Sequence, residues 1–463
     1  MPQLHLTGLD LGVILAYVAA TLLIGYATRR VSPTVEAYLL AGRRLTLPLF
    51  VGSLVGTWYG GILGVGEIAF SAGLVNWLTQ GLFWYLAYAI FALFLARRLR
   101  ESLAVTLPEQ LDRFYGRGAY TIGAILNFLN TVPVAYVLSL GLLLQLFFGL
   151  SLGAGVLIGA AIVCLYSLRG GFRSDVYTDM LQLVVMCLGV AILIPYAVFG
   201  LGGADYLRAQ LPARHLDLTG GWDAQELAVW FLIAMTTLVD PHFYQRCYAA
   251  RSPRVAQLGI FLAIGFWCLF DVCTTFGAIY ARAALPDAPA IWGYPLLADQ
   301  ILPSGARGLF FAGVLATVMS TVDSYALVAA ATLGRDLYGR ILRPSASEAS
   351  VVRACRIGLV VSVLLAAGFA LVFEGSIRAV WKSFGSLMAA SLLVPMLAGL
   401  LWTRSRSAAA GLSALLLGGG ITALDLVLES FGRSPLPGIE PLFVGLSASL
   451  LGFLLARIVT RRP

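Results

Sequence analysis

The sequence predicts an all-α integral membrane protein of about thirteen transmembrane helices. Three observations carry this. The 463 residues are 59% hydrophobic and only 12% charged, an apolar share well above the roughly one half of soluble domains. Apolar runs of about 17 residues or more, long enough to cross a ~30 Å hydrocarbon layer as helices, recur from residue 11 almost to the C-terminus. The basic residues between the runs alternate in density, as cytoplasmic and external loops do.

The runs fall at 11–28, 47–74, 78–96, 120–148, 152–168, 176–199, 227–244, 258–280, 308–333, 357–373, 384–402, 411–427 and 442–458. They are continuous, whereas a spanning barrel shows ten-residue alternation. No soluble domain fits between them. Of the 31 basic residues, 24 follow the odd-numbered runs or, as Arg457 does, lie at the end of one, which puts the N-terminus outside and the C-terminus in the cytoplasm. Cationic loops facing anionic lipid account for the net charge of +8, so it implies no nucleic-acid partner. Residues 1–10 hold no Lys or Arg, while Arg29 and Arg30 follow the first run, the reverse of a cleaved signal peptide. The six cysteines lie within runs or at their ends and imply no disulfide or metal framework. Lys382 is the only lysine, an arginine bias typical of GC-rich bacterial genomes. The expected home is a bacterial inner (plasma) membrane.

Two runs carry features that break a helix at membrane depth. The second reads FVGSLVGTWYGGILGVGE, with Gly52, Gly56, Gly60 and Gly64 four apart and Gly61 and Gly66 added. Glycine weakens a helix and bares its carbonyls; the same stripe also suits close helix packing. The seventh reads LIAMTTLVDPHFYQR, where Pro241 removes a backbone donor directly after the ionisable Asp240. Interrupted helices at corresponding places in two halves point to a transporter built from inverted repeats. An offset of five runs, being odd, gives the halves opposite orientation. The expected division of a single transporter domain, 1–463, is an extra helix at 11–28, repeats at 45–200 and 225–403, and two extra helices within 408–460.

The ninth run, GVLATVMSTVDSYALVAAATLGRDLYGR, sets Thr317, Ser320, Thr321 and Ser324 at i, i+3, i+4 and i+7, on one face. Hydroxyl and carbonyl oxygens suit a hard monovalent cation; the alternative is hydroxyls bonded back to their own helix. Asp323 lies beside the stripe. An intramembrane carboxylate costs roughly 2.5–3.5 kcal/mol even on lenient scales, so it needs a partner. Asp179 opens the sixth run, where a helix dipole also favours a carboxylate.

Several of these residues form a recognisable set. Gly170-Gly171 precedes Thr178-Asp179 and Gln182; Gln245-Arg246 ends run seven; Ser320-Thr321 and Asp323-Ser324 lie in run nine. Ala41 to Arg44 and Phe384 to Leu387 complete it. Over roughly 35–405 the chain resembles the sodium:solute symporters. That resemblance implies a LeuT-type 5+5 inverted repeat, runs 2–6 and 7–11, and Na+ as the coupling ion. It also implies a sodium site built from the carbonyls of Gly56, Tyr59 and Thr317 and the hydroxyls of Ser320 and Thr321. Some members resemble a two-sodium design, whose second cluster would be Asp179, Asp323 and Ser324. Here Asp323 stands where the pattern has a hydroxyl.

The solute pocket implied by the resemblance draws on Trp58, Tyr59, Trp84, Tyr85, Asn130, Tyr136, Asp240 and His242. Sugar carriers have Glu-Gln where this chain has Ile62-Leu63, which disfavours a sugar; proline carriers have Asp where Trp58 stands. The stretch from Thr57 to Gly61 looks most like that of choline carriers, where an aromatic face suits a quaternary ammonium.

The expected function is secondary active, sodium-coupled symport of a small polar organic solute by alternating access. A proton-coupled symporter of the same fold is the alternative, followed by a transporter-like sensor or a channel. An enzyme is disfavoured: there are three histidines, His5, His215 and His242, and no HExxH or GxSxG. No repeated filter-like segment suggests a channel, and no signalling module a sensor. Beyond the solute and the bilayer, no nucleic acid or obligate protein partner is expected.

Overall fold

The computed structural model describes residues 4–28, 34–373, 376–402, 406–433 and 435–460. Arg29, Arg30, Arg404, Arg461 and Arg462, which contribute to the cytoplasmic charge count, lie outside the described residues.

Every apolar run becomes a helix or a pair of half-helices. In chain order these are α1 (Gly8–Thr28), α2a (Leu47–Gly56) and α2b (Ile62–Ala72), α3 (Trp77–Phe94), α4 (Arg117–Phe148), α5 (Leu152–Leu165) and α6 (Gly170–Leu201). Then follow α7a (Ala224–Met235) and α7b (Pro241–Ala249), α8 (Pro253–Ala284), α9 (Ala306–Leu342), α10 (Glu348–Val372), α11 (Ile377–Leu401), α12 (Ala408–Ser430) and α13 (Pro441–Thr460). Among the described residues, eleven helices are individually long and apolar enough to cross a membrane; the broken α2 and the short α5 bring the spans to thirteen.

The sequence pattern and the helices differ at three joints. Runs five and six are not separated by a loop: the helical path continues from Leu152 to Ala191 and is interrupted at Gly171 alone, with φ of +58°. A Cβ there would lie 2.8 Å from the Tyr38 carbonyl oxygen, so both the backbone angle and the space exclude a side chain. Helix α4 breaks at Val132–Pro133, where proline removes a donor. Helix α9 overruns its apolar stretch through a π-helical segment, Thr332–Leu342. Short helices also connect spans, the longest of them Leu107–Tyr115 and Ala290–Ile301; all are too short to register as transmembrane runs.

Helix α9 is the axis of the bundle, buried along almost its whole length and packed lengthwise on α6. Helix α1 lies against both, while α12 and α13 form a hairpin outside α11 and the start of α4. The breaks in α2 and α7 therefore face the most buried helix of the protein.

Candidate functional site

The α2 break spans Thr57 to Gly61. Its tightness follows from glycine: a Cβ on Gly60 would meet Thr321 at 2.5 Å, and one on Gly61 would enter the Trp381 ring at 1.7 Å. Because the helix stops at Gly56, its last carbonyl turns to α9, where the Ser320 hydroxyl donates to it at 2.7 Å. The Ser320 and Thr321 hydroxyls also donate to the Thr317 carbonyl, at 3.1 and 2.9 Å. The Tyr59 carbonyl accepts from the Ile62 amide at 3.1 Å. The first predicted cluster, Gly56, Tyr59, Thr317, Ser320 and Thr321, thus straddles the junction of α2 and α9. Carbonyls and hydroxyls concentrated at one buried junction form an oxygen-rich set for a hard cation.

Asp179 on α6 sits directly against Gly56: a Cβ on that glycine would be 3.5 Å from the carboxylate. Both of its oxygens are buried and, among the described residues, neither has a hydrogen bond of ordinary geometry; Ser53 lies nearby and the Arg246 guanidinium stands 3.9 Å away. One turn earlier, Asp175 is the residue that Arg246 pairs with, at 3.2 Å. Arg246 is fully buried and also donates to Thr57 and Ser324, both at 2.7 Å, and to Gln245 at 2.8 Å.

The residues of the predicted second sodium cluster bond to different partners. Asp323 accepts from Ser167 at 2.6 Å and lines a small cavity shared with Asp175 and Thr178. Ser324 donates to Asp175 at 3.1 Å and accepts from Arg246. Asp179 faces Gly56 instead.

The α7 break is built differently. The Asp240 carboxylate caps α7b, accepting from the backbone amides of His242 at 2.8 Å and Phe243 at 3.2 Å. Pro241 occupies the first helical position, where a missing donor costs nothing. The same carboxylate oxygen lies 3.1 Å from His242 Nδ1, and the imidazole stacks on Tyr325 with centroids 3.7 Å apart.

Between the two breaks lies a cavity of about 1090 Å³, the open space at its mouth included. Trp58, Tyr59, Trp84, Asn130, Tyr136, Asp240 and His242 all line it. Tyr85 does not, but its hydroxyl donates to Asp271, which does. Trp58 packs edge-on to Trp84 at 5.4 Å and to Phe243 at 5.1 Å, beside Tyr88 and Trp267. Sequence reasoning missed Asp271, Tyr88, Trp267 and Tyr325. For Asp271 a signal existed, since a carboxylate inside run eight is a functional pointer by itself; the aromatics have none that separates them from packing.

The family model for the sodium:solute symporters matches residues 38–418. The chain belongs to the sodium:solute symporter family. It is accordingly a sodium-coupled solute symporter and a multi-pass membrane protein, not an enzyme. It is 25% identical to a high-affinity choline transporter of Caenorhabditis elegans, covering 88% of this chain and 73% of that one. Identity is 28% to the sodium/pantothenate symporter of Escherichia coli, covering 78% and 75%, and 25% to the osmoregulated proline transporter OpuE of Bacillus subtilis, covering 96% and 94%. A Na+-coupled sialic acid symporter, solved substrate-bound and outward-open, superposes with a TM-score of 0.78 at 15% identity over 98% of both chains. That match shows the LeuT-type fold.

Proposed function

We propose that Na+ binds at the junction of α2 and α9, held by the carbonyls of Gly56, Tyr59 and Thr317 and the hydroxyls of Ser320 and Thr321. Asp179 supplies the negative charge. The observation that carries this is the Ser320 hydroxyl on the Gly56 carbonyl, beside a buried carboxylate that has no hydrogen bond of ordinary geometry among the described residues. On ion binding the two hydroxyls rotate their O–H bonds off the Gly56 and Thr317 carbonyls, so that hydroxyl lone pairs and freed carbonyl oxygens both face Na+. The ion then ties the broken α2 to α9 and stabilises the arrangement in which the neighbouring cavity takes up solute. Coupling follows because ion and solute favour the same state. Entry of one positive charge adds about 2.3 kcal/mol per 100 mV of membrane potential.

The solute is a small organic molecule in the cavity between the two breaks; choline, pantothenate and proline, named for the relatives, represent the range. The separate partners of Asp323 and Ser324 favour one sodium ion at Asp179. The repeats are residues 45–200 and 225–403, and the basic-residue asymmetry supports an external N-terminus and a cytoplasmic C-terminus in a bacterial plasma membrane.

The test is thermal unfolding of the purified protein titrated with NaCl against choline chloride-free KCl at constant ionic strength. A native-state ligand stabilises by RT ln(1 + [L]/Kd). Sodium raises the melting temperature of the wild type and not that of Asp179→Asn or Ser320→Ala. An unchanged sodium response in both variants overturns the assignment.

A further inference from the structure

We infer that the solute is an organic cation whose charge is paired by Asp271, a residue on α8. The inference rests on the symport reading above and names the substrate class of that cavity.

Asp271 is buried, 3% exposed, and lines the cavity wall. The Tyr59 hydroxyl donates to one carboxylate oxygen and the Tyr85 hydroxyl to the other. Among the described residues no Lys, Arg or His pairs with it, in contrast to Asp10, Asp175, Asp299 and Asp336, each of which has an arginine. Two phenol hydroxyls orient a carboxylate and ease its desolvation, but they do not cancel its charge. Its charge is then balanced either by a proton or by a cation in the cavity, and a cationic solute supplies the second.

The rest of the lining agrees. Among the described residues the cavity lining has two carboxylates, Asp240 and Asp271, and no lysine or arginine, so a carboxylate or phosphate solute would meet like charge there. His242 adds an acceptor: with Nδ1 turned to Asp240, its fully buried Nε2 presents a lone pair and has no partner among the described residues. Trp58, Tyr88 and Trp267 line the same cavity, and aromatic rings attract a positive charge without needing an N–H. Since each Asp271 oxygen already holds a tyrosine hydroxyl, the site does not require donors from the cation, and ammonium groups with or without N–H fit it equally.

The experiment is binding to the purified full-length protein in saturating NaCl, using choline and ethanolamine as cations, proline as zwitterion and pantothenate as anion. At least one cation is expected to bind and the anion not. Asp271→Asn weakens cation binding tenfold or more, Asp271→Glu restores part of it, and Tyr85→Phe gives a smaller loss. In all three variants the thermal shift by sodium alone persists, because the ion junction lacks Asp271. Binding of pantothenate or proline with neither cation binding overturns the inference, as does wild-type cation affinity in Asp271→Asn. Should Asp271→Asn not fold, the cation-against-anion preference of the wild type decides. Failure of sodium to shift the wild type, with choline or ethanolamine still binding, overturns the symport site and leaves the cation site standing.

Discussion

The two broken helices solve the same problem by opposite means. In α2 the break is made of glycine and leaves a carbonyl, Gly56, to be met by another helix. In α7 the break is made of Asp240 and Pro241, and the carboxylate satisfies the amides of the half-helix that follows. The first break keeps acceptors for something else; the second closes on itself and presents side chains, His242 and Asp240, to the cavity. A broken helix is thus not one device. Whether it forms an ion ligand or a rigid wall depends on which of its own polar groups are already satisfied.

The largest effect is expected where acceptors are held in reserve. Ser320→Ala removes a hydroxyl that a cation would use, and a hydrogen bond or ligand contact to a charged group is worth about 1.5–3 kcal/mol. Sodium-driven uptake in vesicles should lose roughly 10- to 150-fold in apparent sodium affinity. The comparison breaks if the sodium dependence of uptake is unmoved.

Next comes Gly60→Ala. The added methyl would lie 2.5 Å from the Thr321 Cβ and 2.8 Å from the Tyr136 ring. Overpacking of this kind costs about 1–3 kcal/mol, seen as a lower melting temperature, and it displaces Thr321 from the ion junction. Pro241→Ala at the other break removes no contact of comparable tightness and should leave the melting temperature within what about 1 kcal/mol produces. Equal effects at the two positions would remove the distinction between a tight glycine crossing and a self-capped break.

Much of this was legible in the sequence for a physical reason: a bilayer admits few backbone solutions, so thirteen runs and two interruptions fix the span count and the places where backbone is bare. The Thr317, Ser320 and Thr321 stripe was legible too, because helical spacing fixes which hydroxyls share a face. Which carboxylate has a partner was not. Asp175 and Asp179 are one turn apart on α6, and nothing local distinguishes them; Arg246, some seventy residues later, reaches the first at 3.2 Å and the second only at 3.9 Å. Nor does the sequence disclose that Tyr59 and Tyr85, on different helices, converge on Asp271. Asp240 shows the converse: besides lining the cavity, its carboxylate has a capping task that its position before Pro241 did not disclose.

That capping task sets the third expectation. Asp240→Ala leaves the amides of His242 and Phe243 without their acceptor, a loss of about 1–2 kcal/mol. Asp240→Asn retains an oxygen acceptor and should recover most of it in thermal melts. Sodium affinity should change little in either. If Asp240→Asn is as destabilised as Asp240→Ala, the charge and not the cap holds the α7 break together.

The smallest effect belongs to a carboxylate that is fully paired, Glu109, in the helix Leu107–Tyr115 between α3 and α4. Burial opposes its ionisation, but Arg335 and Arg113, each 2.6 Å away, outweigh that and hold its carboxyl below the usual range. The folded state then binds fewer protons than the unfolded one, so the pairing stabilises at neutral pH and is lost as pH falls through the depressed folded value. Glu109→Gln keeps the shape and one acceptor and removes only the charge; the loss is limited because Arg335 keeps Asp336 at 2.9 Å and the part-exposed Arg113 keeps water. Melts at pH 7 and at progressively lower pH should show the variant less stable at pH 7, with the two proteins converging as the wild-type carboxyl protonates. A constant gap at all pH values would mean that Glu109 acts through shape alone. Its paired state would then be no useful reference for the reserve of acceptor capacity assigned to Asp179.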